Sequence, residues 1–289
     1  MSNKKQINVY SVYFILGIGI ICIGFSAVFV KLANVPGPAS AFYRTLIAVL
    51  ALLPFYLFRK PNRISKLQLL LTLLAGLFFA LDIALWNTSL LITSAASATF
   101  LGNTSPLWVG LSAVIIFREK LSLRFWIGLI SALFGMAFLV EADAIGSQYN
   151  NGTFLALGAG ILYAAYLITT QRVRFKVDTL SFMTLSVVSC ATVLFIINLI
   201  LDIPLTGYSK NSWLALLGLG LISHLGGWLS INYALGHLRA APASVTLLGQ
   251  AVVTAIVSIP ILGEYLSMYQ IIGGVFILGG IYFANKISK

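Results

Sequence analysis

The chain is a series of long apolar runs separated by short polar or proline-containing segments. Each run is about 20 residues long, which is the length that an α-helix needs to cross the hydrocarbon core of a bilayer. Turn residues such as Pro36-Gly37-Pro38, or clustered charges such as Arg59-Lys60, interrupt the runs. The pattern predicts ten membrane-spanning helices, at residues 11–32, 39–58, 67–90, 94–117, 122–140, 153–171, 179–201, 212–236, 241–262 and 266–285.

Composition supports the class of polytopic membrane protein. The chain is 60% hydrophobic and 9% charged, too few charges to keep a water-soluble fold in solution. Ten spans take up roughly 200 residues, so we expect no second soluble domain. A cleaved signal peptide after Lys4-Lys5 is the less favoured interpretation of the first run, which is too long for that purpose.

The net charge of +11 reflects membrane topology rather than nucleic-acid binding. Lys and Arg form short clusters at one set of alternate span ends, and the opposite ends carry Lys210 with several acidic residues. No basic face is present that would follow a phosphate backbone. Because basic clusters stay on the cytoplasmic side, we expect a protein of the cell (cytoplasmic) membrane with both termini cytoplasmic.

The chain contains one stretch twice, as Ser89–Gly135 and again as Ala234–Gly280. A single ungapped offset, 264 − 119 = 145, aligns the copies. It pairs Glu119 with Glu264, Ser122 with Ser267, Gly128 with Gly273, and Gly135 with Gly280. Five spans per half is an odd number, so the second half would be inverted relative to the first. We therefore predict an all-α fold with repeats at residues 1–147 and 148–289.

Several motifs in a fixed order point to a known family. They are Gly24-Phe25-Ser26, Phe42-Tyr43-Arg44, Ser105-Pro106-Leu107, Arg118-Glu119-Lys120-Leu121-Ser122, and Gly263-Glu264-Tyr265-Leu266-Ser267. In these the chain resembles the EamA type of the drug/metabolite transporter superfamily. The resemblance implies ten helices in two inverted five-helix repeats, and transport of a small metabolite such as an amino acid, amine, vitamin or nucleotide sugar. The second half departs from the pattern by lacking counterparts of Pro106 and Arg44.

Asp82 is the clearest candidate for a functional residue, because a charge in the middle of a span needs a reason to be there. Trp86 follows at i+4 on the same helical face. A carboxylate beside an indole suits a cationic amine, through charge pairing and a cation–π contact. Two other roles stay open for Asp82: proton coupling, and a structural lock between helices.

Span 8 presents a second polar face, with His224, Trp228 and Asn232 at i, i+4 and i+8. An imidazole titrates near neutral pH, so His224 is a candidate for carrying a coupling proton or for binding substrate. A core histidine bonded to a carbonyl is an equally weighted alternative.

Further candidates for substrate contact are amides and aromatic residues within other spans. Asn103 in span 4 and Gln250 in span 9 carry side-chain amides that are predicted to be buried and therefore need hydrogen-bond partners. Tyr163 in span 6 is a weaker candidate, since a tyrosine at that spacing more often serves packing. Lys31 and Arg44 flank the first loop, where we expect their side chains to snorkel to the interface. Contact with a substrate carboxylate is the alternative for these two.

These features favour a secondary transporter that moves a small amino acid or amine by alternating access, and we favour export. Alternatives within the fold are an uptake permease and a multidrug or nucleotide-sugar carrier. The alternative of another class is a membrane-embedded enzyme, against which the sequence shows no HExxH, GxSxG or P-loop motif. We expect no catalytic residue, metal or cofactor. Expected partners are substrate, lipid and a coupling proton, in a monomer or homodimer.

The topology gives a first testable prediction. In a chain with Cys22 and Cys190 replaced by serine, an impermeant thiol reagent on intact cells should label a cysteine at position 264. It should not label one at position 239, because Arg239 belongs to the basic cytoplasmic set. Labelling of position 239 only after permeabilisation is the control. The reverse pattern on intact cells would overturn the orientation.

Overall fold

The computed structural model describes residues 8–59, 64–92, 95–140, 151–263 and 265–286, without the side chains of 90–97 and 262. The boundary predicted between the repeats, at residues 147 and 148, and Glu264 lie outside the described residues.

The described residues form α-helices, one π-helical segment and no strand. The helices are α1 (Val9–Gly24), α2 (Ser26–Ala33), α3 (Gly37–Phe58), α4 (Lys66–Ile92), α5 (Ala95–Gly102), α6 (Ser105–Ile115), α7 (Leu123–Leu139), α8 (Asn151–Arg174), α9 (Thr179–Ile200), α10 (Lys210–Gly218), α11 (Leu229–Leu235), α12 (Ala240–Leu247), α13 (Gly249–Leu262) and α14 (Met268–Asn285). The π-helical segment, Leu219–Trp228, joins α10 to α11.

Within the described chain, eight helical stretches are long and apolar enough to cross a membrane. They are Val9–Ala33, Gly37–Phe58, Lys66–Ser89, Asn151–Arg174, Thr179–Ile200, Lys210–Leu235, Ala240–Ile261 and Met268–Asn285. Eight of the predicted spans therefore appear within a few residues of their expected bounds. The predicted fifth span is the shorter apolar helix α7, and the predicted fourth is divided into α5 and α6.

Large apolar side chains cover the outside of the bundle. Phe55, Phe58 and Ile115 are 69%, 92% and 71% exposed. A water-soluble protein seldom leaves so much contiguous apolar surface uncovered, whereas a bundle surrounded by lipid tails does. The all-helical architecture and this surface together make the chain a multi-pass membrane protein.

Helix contacts connect the two halves of the sequence. Helix α4 packs against α8 and α9, and α1 packs against the π-helical segment and α11. Helix α3 lies on α9, and α7 lies on α14. Since α3 aligns with α9 and α7 with α14 under the sequence offset, helices at corresponding positions touch one another. The core therefore forms between the halves.

The α6–α7 and α13–α14 corners match in backbone detail. Arg118 and Gly263 both have positive φ, 53° and 68°, and they are separated by the repeat offset, 263 − 118 = 145. Ser122 caps α7 and Ser267 caps α14, each accepting a bond from the backbone N–H three residues on. The two halves thus turn their final corner in the same way.

Glycines allow α7 and α14 to approach closely. A Cβ added to Gly128 would lie 2.5 Å from the carbonyl oxygen of Gly280, and one added to Gly135 would lie 2.5 Å from that of Gly273. The lower-numbered glycine of α7 meets the higher-numbered glycine of α14, so the helices run antiparallel. An added methyl group would force the backbones apart.

This contact predicts a difference between neighbouring glycines of α14. A Cβ on Gly280 would meet Gly128 O at 2.4 Å and Ala132 N at 2.6 Å, whereas one on Gly279 would meet nothing within 4 Å. Gly280→Ala should lower the apparent melting temperature in detergent, because overpacking costs about 1–3 kcal/mol. Gly279→Ala, with the same gain in helix propensity, is the matched control and should be neutral or stabilising. Equal melting temperatures would contradict the contact.

Candidate functional site

Two membrane helices are interrupted at corresponding positions. Helix α5 gives way to α6 at Asn103 and Thr104, and α12 gives way to α13 at Leu248. The offset between the breaks, 248 − 103 = 145, is that of the sequence repeat. The first break precedes Pro106, whereas Ala251 occupies the corresponding place in the second. The interruption therefore does not depend on a proline.

Side chains satisfy the backbone at the first break. The Thr104 hydroxyl donates to the carbonyl of Leu101 at 2.6 Å, and the Asn103 amide donates to that of Thr99 at 2.8 Å. The same carbonyls also accept the backbone N–H groups of Asn103 and Thr104, at 3.1 Å each, so the side chains add a second bond to each carbonyl at the interruption.

The two breaks meet through their amides. Gln250 Nε2 donates to Asn103 Oδ1 across 3.4 Å, a long and therefore weak hydrogen bond. The end of α1 joins this region, since the Thr254 hydroxyl donates to the carbonyl of Gly24 at 2.7 Å. Interruptions in three spans thus converge where the two halves face each other.

A pair of opposite charges lies in the interior beside the breaks. The Asp82 carboxyl on α4 and the Arg44 guanidinium on α3 lie close enough to interact electrostatically. No N–O contact within 4.0 Å joins these two described residues. Tyr163 and Cys190 share the same surroundings. Arg44 Nε is buried without a hydrogen-bond partner, while the residue as a whole is half-buried, so the expectation that its side chain snorkels to the interface stays a prediction.

An aromatic wall lines the interior next to the charges. The Phe79 ring stacks on Tyr166 with centroids 4.7 Å apart and meets Trp228 edge-on, also at 4.7 Å. Trp228 meets Tyr163 edge-on at 5.9 Å. These contacts fix the rings in place, and the Tyr166 hydroxyl is anchored by donation to Asn232 Oδ1 at 3.1 Å.

Buried polar atoms without partners surround the charges. His224 is fully buried, and neither of its ring nitrogens has a hydrogen-bond partner. Trp228 Nε1 and Arg44 Nε lack partners as well. Buried polar groups are normally hydrogen-bonded, so these unpartnered atoms make the region a candidate for binding water or a ligand. His224 and Trp228 belong to the π-helical segment, a conformation that is frequent at functional sites.

The interior space at this site is narrow. A narrow space, too tight for a water molecule, lies among Phe79, Tyr166, Met183, His224 and Trp228. A larger crevice of ≈ 430 Å³ lies elsewhere, at the surface beside Glu119, Arg172 and Lys176. We assign the site to the region around this narrow space, because His224 and Trp228, which line it, carry unpartnered polar atoms.

Contacts close the bundle on both sides of the site. At the end where α3 begins, the Tyr43 hydroxyl donates to the carbonyl of Leu205, and the Tyr43 ring lies edge-on to Trp213 at 4.8 Å. At the opposite end, Arg174 Nε donates to the carbonyl of Asn232 at 2.8 Å. These contacts join helices at both ends of the site.

The predicted site residues fall into two neighbouring groups rather than around one open cavity. Asp82, His224, Trp228 and Tyr163 belong to the charged aromatic group, and Asn103 with Gln250 to the break pair. Trp86 links them, because it packs against Gly102 at the end of α5. Lys31 is exposed on α2 and is not part of either group.

Sequence reasoning missed Phe79 and the burial of Arg44 Nε. A signal for Phe79 was available: it is the repeat counterpart of His224, 224 − 79 = 145. The structure places their ring centroids 5.9 Å apart, so these counterparts meet where the halves join. Where residues at equivalent positions of two repeats touch each other, they lie on the axis that relates the repeats. Polar or aromatic residues on such an axis are therefore candidates for a functional site.

Comparison with known proteins agrees with this architecture. A family model described as EamA-like transporter family matches residues 10–141 and again residues 150–286. A Bacillus subtilis protein named uncharacterized transporter YdfC is 23% identical over 255 residues, covering 86% of this chain and 83% of that protein. An S-adenosylmethionine uptake transporter of Rickettsia bellii is 23% identical over 153 residues, covering 53% of this chain and 52% of that protein. A solved crystal structure, 18% identical, superposes with a TM-score of 0.79 over 96% of both chains.

The matching family model and the names of the relatives identify the chain as a transporter. The chain belongs to the EamA-like transporter family, within the drug/metabolite transporter superfamily. The family resemblance found in the sequence is thereby confirmed, and the names of its relatives indicate transport rather than catalysis.

The unpartnered imidazole generates a prediction about stability. His224→Leu should raise the apparent melting temperature of the ligand-free protein, because leaving a buried polar group unsatisfied costs about 1–3 kcal/mol. His237→Leu is the matched control: its ring is exposed and contacts the carbonyl of Tyr233 at 2.8 Å, so no gain is expected. A destabilised His224→Leu variant would show that the imidazole has a structural partner.

Proposed function

We propose that the chain is a secondary carrier with ten spans, arranged as inverted repeats at residues 1–147 and 148–289, that works by alternating access. The double match of the family model supports the duplication. The matching corners support it too, and the antiparallel packing of α7 on α14 supports inversion. With α5–α6 taken as the fourth span and α7 as the fifth, the number of spans is ten.

The paired helix breaks carry the proposal. In transporters built from inverted repeats, discontinuous helices at corresponding positions form the substrate site near the midplane of the bilayer. Here the breaks at Asn103 and Leu248 lie together, joined by the contact of Asn103 with Gln250. We infer that substrate binds between the halves, at these amides and the adjoining group of Asp82, Tyr163, His224 and Trp228. Trp86 completes the lining.

The substrate that suits this site best is an amino acid or amine with an apolar body. Asp82 supplies the negative charge for an ammonium group, and the aromatic wall supplies surface for the body. Asp82 and His224 are also the candidates for proton coupling. Export is our first proposal. Uptake is the second, favoured by the relative named as an S-adenosylmethionine uptake transporter, whose substrate is itself an amino acid with a cationic centre.

Orientation and location follow from charge. We propose the cell membrane as the location, with both termini cytoplasmic, because Arg59, Arg118, Arg172 and Lys176 share the predicted inner side. Asp178 lies at the same end, where it pairs with Arg59 at 3.4 Å. Partial burial opposes ionisation there, but hydrogen bonds from Ser181 outweigh it and hold the pKa of Asp178 below its ordinary value.

Counterflow tests the proposal. Proteoliposomes loaded with one unlabelled amino acid or amine at a time should accumulate the same labelled compound transiently, and the flux should saturate. Asp82→Asn should reduce that flux at least tenfold while the protein still purifies as a monodisperse species, since the amide cannot neutralise an ammonium group. Asp202→Asn, in an exposed turn where Asn tolerates the positive φ of 50°, is the matched control. Flux that rises linearly with concentration would indicate a channel.

A further inference from the structure

We propose that the surface crevice beside Glu119, Arg172 and Lys176 binds one anionic phospholipid, and that phosphatidylglycerol is the head group that suits it best. The crevice has a volume of ≈ 430 Å³. That volume lies within the range of about 300–1,000 Å³ that small-molecule sites occupy. The crevice shares no lining residue with the narrow space at His224, so this inference goes beyond the proposed transport function.

Three segments of the chain form the crevice at one end of the bundle. Helix α4 contributes residues from its start, within residues 67–71. Helix α8 contributes residues from its end and just after it, within residues 171–176, and the α6–α7 corner contributes Phe117 and Glu119. All three segments belong to the basic end of the bundle, where the head groups of the surrounding lipid would lie.

The apolar part of the crevice is open to lipid. Leu67 and Phe175 are 65% and 60% exposed, and Leu71 lines the same space. An acyl chain that packs on these side chains would continue the contact that the bundle makes with lipid tails elsewhere. Apolar and polar lining in one crevice fits a ligand that is itself amphiphilic.

The polar part of the crevice is rich in hydrogen-bond donors. Arg172 and Lys176 carry a guanidinium and an ammonium group, which only donate. The Oε1 atoms of Gln68 and Gln171 accept from backbone N–H groups at 2.9 and 3.0 Å, so each amide is left with its Nε2 donor. No hydrogen bond of either Nε2 is found within the described part of the chain. Four donor groups in one space match the acceptor oxygens of a phosphate.

The Arg172 side chain is held in position without being neutralised. Its guanidinium carbon lies 3.6 Å from the centroid of the Phe117 ring, a cation–π contact that fixes the group and leaves its N–H donors available. Among the described residues, no carboxylate oxygen lies within 4.0 Å of a charged nitrogen of Arg172 or Lys176. Both cations are therefore available to an anion.

The balance of charge selects the head group. Arg172 and Lys176 outnumber Glu119, so the lining carries one net positive charge. A phosphatidylglycerol, with one phosphodiester and a neutral glycerol, neutralises that charge, whereas a phosphatidylcholine is zwitterionic and does not. The glycerol hydroxyls also donate to the Glu119 carboxylate, and a choline group has no donor for it. Basic pockets between membrane helices on the cytoplasmic side are suited to anionic head groups in this way.

Lipids with identical acyl chains test the inference. The purified full-length chain in detergent is titrated with dioleoyl phosphatidylglycerol or dioleoyl phosphatidylcholine, and bound lipid is counted by native mass spectrometry. We expect one phosphatidylglycerol to bind about tenfold more tightly than phosphatidylcholine and to raise the apparent melting temperature. sn-Glycerol 3-phosphate has the phosphate without the acyl chains, and it should do neither at the same concentrations.

Variants locate the bound lipid. Lys176→Gln should weaken phosphatidylglycerol binding roughly fivefold, and Lys176→Gln combined with Arg172→Gln should remove the preference over phosphatidylcholine. Arg172→Lys keeps the charge and replaces Arg172→Gln if the double variant is not monodisperse; the preference should then fall without vanishing. Lys286→Gln is the matched control, because Lys286 is exposed at the same basic end and its ammonium lies 5.5 Å from the centroid of the Tyr282 ring.

Each contrary outcome overturns a stated part of the inference. Equal affinity for the two phospholipids would show that the head group is not recognised. Binding of sn-glycerol 3-phosphate as tight as that of phosphatidylglycerol would make the crevice a site for a soluble phosphate compound. An unchanged preference in the folded double variant, or an equal loss in Lys286→Gln, would show that anionic lipid binds the basic end at large and not this crevice.

Discussion

The structure depends on one constraint: inside a bilayer, every backbone N–H and C=O must find a partner within the protein. A helix can be interrupted at that depth only where protein surrounds the interruption. The breaks at Asn103 and Leu248 meet this condition by lying against each other, and side-chain donors from Asn103 and Thr104 add to the backbone bonds at the first break. The two helix interruptions thus lie together between the halves of the chain. Polar groups are needed at that location in a carrier.

The corners and close helix contacts follow the sequence repeat, whereas the side chains in the interior differ between the two halves. The corners at Arg118 and Gly263 and the glycines of α7 and α14 follow the duplication closely, since tight packing leaves little freedom for change. The interior does not: Phe79 faces its counterpart His224, and neither Arg44 nor Asp82 has a charged counterpart in the second half. The frame positions are constrained by packing in both halves, whereas the interior positions differ between the halves.

Sequence patterns predicted the position of most helices, because the length of an apolar run and the turn residues that end it are local features of the chain. The repeat offset found from Glu119, Ser122 and a few glycines also locates the corners and both helix breaks. Side-chain direction was harder. Arg44 lies near a predicted span end, where snorkelling and an inward turn look alike in sequence, so the burial of its Nε could not be predicted. The narrow interior was equally unpredictable, because it results from ring contacts between distant spans.

The π-helical segment gives span 8 a property that a regular helix lacks. Its hydrogen bonds run from each residue to the fifth one along, so the ten residues Leu219–Trp228 are wound more widely than the α-helical turns on either side. If these residues were wound as an α-helix instead, α11 would rotate about the helix axis relative to α10, and the backbone hydrogen bonds would still be made. The imidazole of His224 and the indole of Trp228 would then rotate together about the helix axis, while the helix stayed continuous across the membrane.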